Sequence, residues 1–296
     1  MKCPLYPTTH LNLIVAATPQ LVLPARTASP LALWHLLSLD APTVAAVWTW
    51  LVARSAHVQL PSAAPAAIFL AVWILYAADR LLDAERSPAA ELEARHLFHQ
   101  RHRKFFLIGI ALAGIALAAL VPRLNPAAIR LDLVEGAMLL AWFVILHATD
   151  STQRLPKEMA VGVFFSAAIF IPTVARQPQL RPGLVPGAIL FAALCSLNCL
   201  FIYAWEHDDL RGDRAHISTR LAVAHLQAIT VAAVLLSAAL VLLAAPVAKA
   251  IAAACALAAL CLLTLNHSNR LLSRIDLRAA ADVALLTPLL LLPFLR

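Results

Sequence analysis

Residues 62–85 read Ser62-Ala-Ala-Pro65-Ala-Ala-Ile68-Phe-Leu-Ala-Val-Trp73-Ile-Leu-Tyr76-Ala-Ala-Asp79-Arg80-Leu-Leu-Asp83-Ala-Glu85. The run is apolar for the ~20 residues that a helix needs to cross a bilayer, and then it turns acidic. No charge interrupts it before Asp79. Such a stretch predicts a membrane-spanning helix whose charged end lies at the lipid–water interface.

The rest of the chain repeats the pattern. Eight further apolar runs lie near residues 32–54, 105–122, 132–149, 158–175, 184–206, 219–243, 246–266 and 278–295. Pro61, Pro122, Pro156, Pro182 and Pro246 separate several of them. Of the 296 residues, 62% are hydrophobic and 13% charged, and the mean hydropathy is +0.81. The charged share is about half that of a soluble domain, so lipid must be the main solvent. Glycine is scarce, with 7 residues, while alanine and leucine abound, which favours helices over a barrel. The expected fold is all-α: a polytopic bundle of about nine transmembrane helices around a central cavity, filling residues 31–296. Residues 1–30 hold an apolar run, 11–23, that Pro19 interrupts; this segment is expected to be poorly ordered, and it lacks the features of a signal peptide.

The net charge of +7 raises nucleic acid as a partner, but in a membrane protein it reflects loops that face anionic lipid. Of the 23 Lys and Arg, 16 fall on the N-terminus and on the loops that follow the even-numbered spans. That side is expected to be cytoplasmic, in the plasma membrane, with no nucleic-acid partner. The five cysteines, Cys3, Cys195, Cys199, Cys255 and Cys261, form no CxxC pair, and four lie in apolar stretches as small core residues.

A second acidic stretch closes the sixth run: Tyr203-Ala-Trp-Glu206-His207-Asp208-Asp209-Leu-Arg211-Gly-Asp213. Asp79 and Asp83 are four apart, as are Asp209 and Asp213, with Glu206 one turn earlier, so each set shares a helix face. The two sets are offset by 130 residues, with Tyr76 standing where Glu206 has its counterpart. Like charges at this spacing repel, and carboxylates near hydrocarbon are costly; a divalent cation removes both penalties. Magnesium suits carboxylates when a substrate phosphate completes its shell.

These stretches resemble the UbiA superfamily of intramembrane prenyltransferases. That family carries acidic motifs near the cytoplasmic ends of its second and sixth helices. Asp79-Arg80-Leu81-Leu82-Asp83 resembles the latter half of its first motif. Glu206, Asp209 and Asp213, followed by Ser218-Thr219-Arg220, resemble its second. Leu39-Asp40-Ala41-Pro42-Thr43 looks like the family's opening helix, and Lys157-Glu158 like the entry to its fifth. Leu75 and Tyr76 depart from the family's Asn-Asp, and Glu206 from an aspartate.

The resemblance implies a Mg2+-dependent transfer of a polyprenyl group from a prenyl diphosphate to an acceptor. Asp79, Asp83, Glu206, Asp209 and Asp213 would ligate metal, with the four aspartates catalytic. Arg80, Arg154 and Lys157 would pair with phosphate oxygens. A non-catalytic lipid-binding or transport role on the same scaffold is the alternative. Tyr76 reads either as a core aromatic or as a substrate contact. Asn198 reads as an interhelical hydrogen bond or a cavity residue. Asp282 reads as an interfacial acid. His96, His99 and His102 read as part of a basic juxtamembrane helix, a lid over the diphosphate, or half of a di-iron site that lacks its second histidine cluster.

Overall fold

A computed structural model describes residues 29–86, 94–148, 157–207, 216–243 and 246–294. Among these, the chain is predominantly helical and contains no strand. The first span is broken into α1 (Pro30–Leu36) and α2 (Asp40–Ser55), which meet at 89°. The second and third are α3 (Ala63–Arg86) and α5 (Arg103–Leu120), joined by the short α4 (Ala94–Arg101). Then come α6 (Pro126–Ala148), α7 (Lys157–Arg176) and α8 (Arg181–Glu206). The seventh run divides into α9 (Ile217–Ala224) and α10 (Leu226–Leu243). The eighth is α11 (Pro246–His267), and the last divides into α12 (Arg274–Ala284) and α13 (Pro288–Leu291).

The nine expected spans are therefore all helical, but they are not nine equal spans. Among the described residues, six helices are long and apolar enough to cross a membrane: α3, α5, α7, α8, α10 and α11. The bent pair α1–α2 makes a seventh if the two count as one. The physical reasons are local. The chain turns at Ser38, whose φ of 58° lies in the left-handed region that breaks a right-handed helix. α6 is 23 residues long, and its apolar part follows Arg130, Asp132 and Glu135. Pro288 separates α13 from α12.

The core is built on Trp48 of α2. It is fully buried, lies 4.1 Å from the Phe191 ring of α8, and donates its indole N–H to the Leu285 carbonyl at 2.7 Å. That carbonyl lies just beyond the last turn of α12, where helical carbonyls lack partners. Helices α7 and α8 approach closely because Gly162 has no side chain: a Cβ there would collide with Ser196 Oγ and the Ala192 carbonyl. Leucine, isoleucine and valine cover the outer faces of α5 and α10, including Ile108, Leu112, Ile115, Leu235 and Leu243. A bilayer would solvate these faces.

Four polar contacts join connections that the charge pattern puts on one side. Glu85 pairs with Arg103, Thr219 donates to Glu158, Arg278 pairs with Glu206, and Ser29 donates to Asp276. The acidic ends of α3 and α8 thus share one face of the bundle with the starts of α7, α9 and α12. A shallow cleft opens at the other end, lined in part by Leu60, Asn125, Asp132 and Arg176.

Candidate functional site

The polar groups of the bundle gather one and two turns inside the acidic ends. On α1, His35 Nδ1 lies 2.5 Å from Asp40 Oδ2, across the bend at Ser38. The first turn of α2 supplies Asp40, 1% exposed, which also accepts from the Ala41 N–H at 3.0 Å. From α3, Arg80 enters the cluster and is buried. Its Nη1 donates to the His35 carbonyl at 2.7 Å and to Ser38 Oγ at 3.0 Å; its Nη2 stands 3.5 Å from Asp40 Oδ2. The bend that interrupts the first span thereby exposes a carbonyl and a hydroxyl, and Arg80 satisfies both.

The second half of the cluster comes from α8 and α12. Asn198 donates to Asp282 Oδ1 at 2.9 Å. The side chains of His35, Asp40 and Asp282 each offer a ligand atom, and these atoms lie within 4.8 Å of one another. Tyr76, one turn before Arg80, lies within electrostatic range of Asp40, Asp282 and Cys199. Two carboxylates, an imidazole, a guanidinium and an amide thus converge from five helices in a largely apolar surrounding. Intramembrane ionisable groups in this setting mark a functional site by default.

Arg80, a candidate for binding phosphate, directs its guanidinium inward to His35, Ser38 and Asp40. The carboxylate of Glu206, expected to ligate metal, is held by Arg278. Asp282, expected as a solvated interfacial acid, is partly buried and bonded to Asn198. The interhelical hydrogen bond expected of Asn198 is present. Asp79 and Asp83 lie one turn apart near the end of α3, both half-buried. Lys157 is exposed at the start of α7. Asp209, Asp213 and Arg154 lie outside the described residues, as does segment 1–30 apart from Ser29 and Pro30, which cap and open α1.

The three histidines of α4 and its end separate. His96 and His99 are buried against the bundle, and His99 Nε2 lies 3.0 Å from Ser38 Oγ while its ring stacks on Phe106 at 3.9 Å. His102 is exposed and bonds the Phe98 carbonyl at 2.9 Å. Three side chains that diverge in this way do not form the half of a di-iron site. Sequence reading passed over His35 and Asp40 as site residues. An aspartate opening an apolar helix, five residues after a histidine, was the available signal.

No family model, no curated protein and no solved structure matches the chain.

Proposed function

We propose that this protein is an intramembrane prenyltransferase, transferring a polyprenyl group from a prenyl diphosphate to an acceptor. The observation that carries this reading is convergence. The helix bearing Asp79 and Asp83 contributes Tyr76 and Arg80 to the polar cluster. The helix that leads into Glu206, Asp209 and Asp213 contributes Asn198. The two helices that lead into the acidic stretches thus meet at one buried junction, on the face that carries Lys157. The protein lies in the plasma membrane with its N-terminus in the cytoplasm, the side favoured by 16 of its 23 Lys and Arg.

The donors suit magnesium in type. Asp79 and Asp83 supply oxygen only, one turn apart, and a substrate diphosphate would complete the shell. When bound, the metal supplies positive charge to the departing diphosphate. Lys157 adds a further cation at the helix start. Arg80 holds the bend between α1 and α2 in place, and so positions Asp40 and the junction rather than the phosphate. Apolar side chains of the bundle hold the prenyl tail and exclude water from the reacting carbon.

Two engagements favour the alternative, a non-catalytic lipid-binding scaffold: Glu206 is already paired with Arg278, and Arg80 is already spent on the bundle. The decisive experiment reconstitutes the purified chain in vesicles with radiolabelled farnesyl or longer prenyl diphosphates and an extract of candidate acceptors. Magnesium-dependent release of diphosphate with a labelled lipid product supports transfer. Retention of intact prenyl diphosphate with tight binding would establish the scaffold reading.

A further inference from the structure

We propose that His35, Asp40, Asp282 and the side-chain oxygen of Asn198 bind a divalent transition-metal ion, at a site distinct from the acidic helix ends. The inference does not rest on prenyl transfer.

Two independent observations carry it. First, the ligand atoms of His35, Asp40 and Asp282 lie within 4.8 Å of one another, although they come from three helices. Ligands around one ion with bonds of ~2.1 Å can stand up to ~4.2 Å apart, so small side-chain rotations suffice. Second, Asn198 is 6% exposed, and its Oδ1 has no hydrogen-bond partner among the described residues. That oxygen shares its amide carbon with the Nδ2 that touches Asp282, so it is held at the edge of the same cluster. With Asp282 ionised, turning the amide over would set two acceptors against each other. A buried carbonyl oxygen without a donor is costly, and a cation is the partner that such an acceptor lacks.

The surroundings suit an ion. Two carboxylates face the single guanidinium of Arg80, which stands 3.5 Å from Asp40. Arg80 and Asn198 Nδ2 also bond these carboxylates, contacts of the kind that orient metal-bound carboxylates. One imidazole among oxygen donors selects manganese, iron, cobalt or zinc over magnesium and calcium. The tethering of α1, α2, α8 and α12 through one ion would lock the bent first span against the core.

The test uses the full chain, purified in detergent, stripped with a chelator and titrated with Mn2+. The expected result is a bound ion whose electron paramagnetic resonance spectrum carries nitrogen coupling from an imidazole, a signal that carboxylate-only sites cannot produce. His35→Gln should abolish that coupling, and Asn198→Ala should weaken binding at least about tenfold. An unmodified chain that binds no Mn2+, or binds it without nitrogen coupling, overturns the proposal. So does coupling that survives His35→Gln. Should His35→Gln not fold, Asn198→Ala decides: affinity equal to that of the unmodified chain overturns the site. No arm uses a prenyl diphosphate, so failure here and failure of transfer are separate results.

Discussion

The guanidinium of Arg80 on α3 stands 3.5 Å from the carboxylate of Asp40 on α2, and both side chains are buried. A residue that the motif suggests for phosphate is therefore a strut between helices. Arg80→Ala leaves Asp40, the His35 carbonyl and Ser38 without their cation, and should cost about 3–5 kcal/mol of stability. Arg80→Lys should recover only part, because one ammonium cannot reach acceptors spread over a fork. Thermal unfolding in detergent, followed by tryptophan fluorescence, measures both. An Arg80→Ala chain as stable as the original, yet unable to bind a prenyl diphosphate analogue, would return Arg80 to the phosphate.

Arg278 competes with a metal ion for the Glu206 carboxylate. Arg278→Gln should therefore strengthen Mg2+ binding in the absence of substrate, while lowering stability by roughly 1 kcal/mol for the lost partly buried pair. Calorimetric titration of the purified variant reads the affinity. Mg2+ affinity no higher than in the unmodified chain would assign Glu206 to the bundle alone.

Gly162 sets two influences against each other. Helix propensity favours Gly162→Ala by about 1 kcal/mol. The added Cβ, however, meets Ser196 Oγ and the Ala192 carbonyl, and overpacking of this kind costs about 1–3 kcal/mol. The expected outcome is net destabilisation in thermal unfolding; a more stable variant would show that α7 and α8 have room to separate.

Asp276 gives a pH dependence. Hydroxyl donation from Ser273 and Ser29 holds its carboxyl below the usual carboxylate value. A depressed folded value contributes stability that is present above about pH 4 and is lost as pH falls through the folded value. The difference in thermal midpoint between the unmodified chain and Asp276→Asn should thus be seen at pH 7 and fade below about pH 4. The effect is small, since the group is only partly buried. A difference that holds unchanged into strong acid would dissociate Asp276 from the α1–α12 contact.

Sidedness is testable without knowing the reaction. In a cysteine-free chain, new cysteines at exposed Gln100 and Arg270 should react with a membrane-impermeant thiol reagent from the same side, and one at Arg123 from the other. The contacts Glu85–Arg103 and Glu206–Arg278, joined through the Arg80–Asp40 and Asn198–Asp282 contacts just inside them, place the first two on one face. In the proposed orientation that face is the cytoplasmic one. Labelling of Gln100 and Arg270 from opposite sides would overturn the arrangement.

The apolar runs alone determined that the chain is helical and lives in lipid. A stretch such as residues 62–82 has no other way to satisfy its backbone in hydrocarbon. The spacing of Asp79, Arg80 and Asp83 likewise fixed which of them share a helix face. An amide deep in an apolar run also sufficed to predict an interhelical bond for Asn198. Composition could not reveal that the first and last runs are broken. Hydropathy averages over Ser38 and Pro288, whereas backbone geometry at a single residue decides whether a helix continues. Nor could spacing disclose the cluster. A helical repeat tells which way Arg80 points relative to Asp79, but not that a bend in α1–α2 lies opposite it, with His35, Ser38 and Asp40 to bind. Asp40 and Asp282 stand near opposite ends of the chain and meet only because α12 packs against α2 and α8. Such proximity belongs to packing between helices, which local periodicity does not encode.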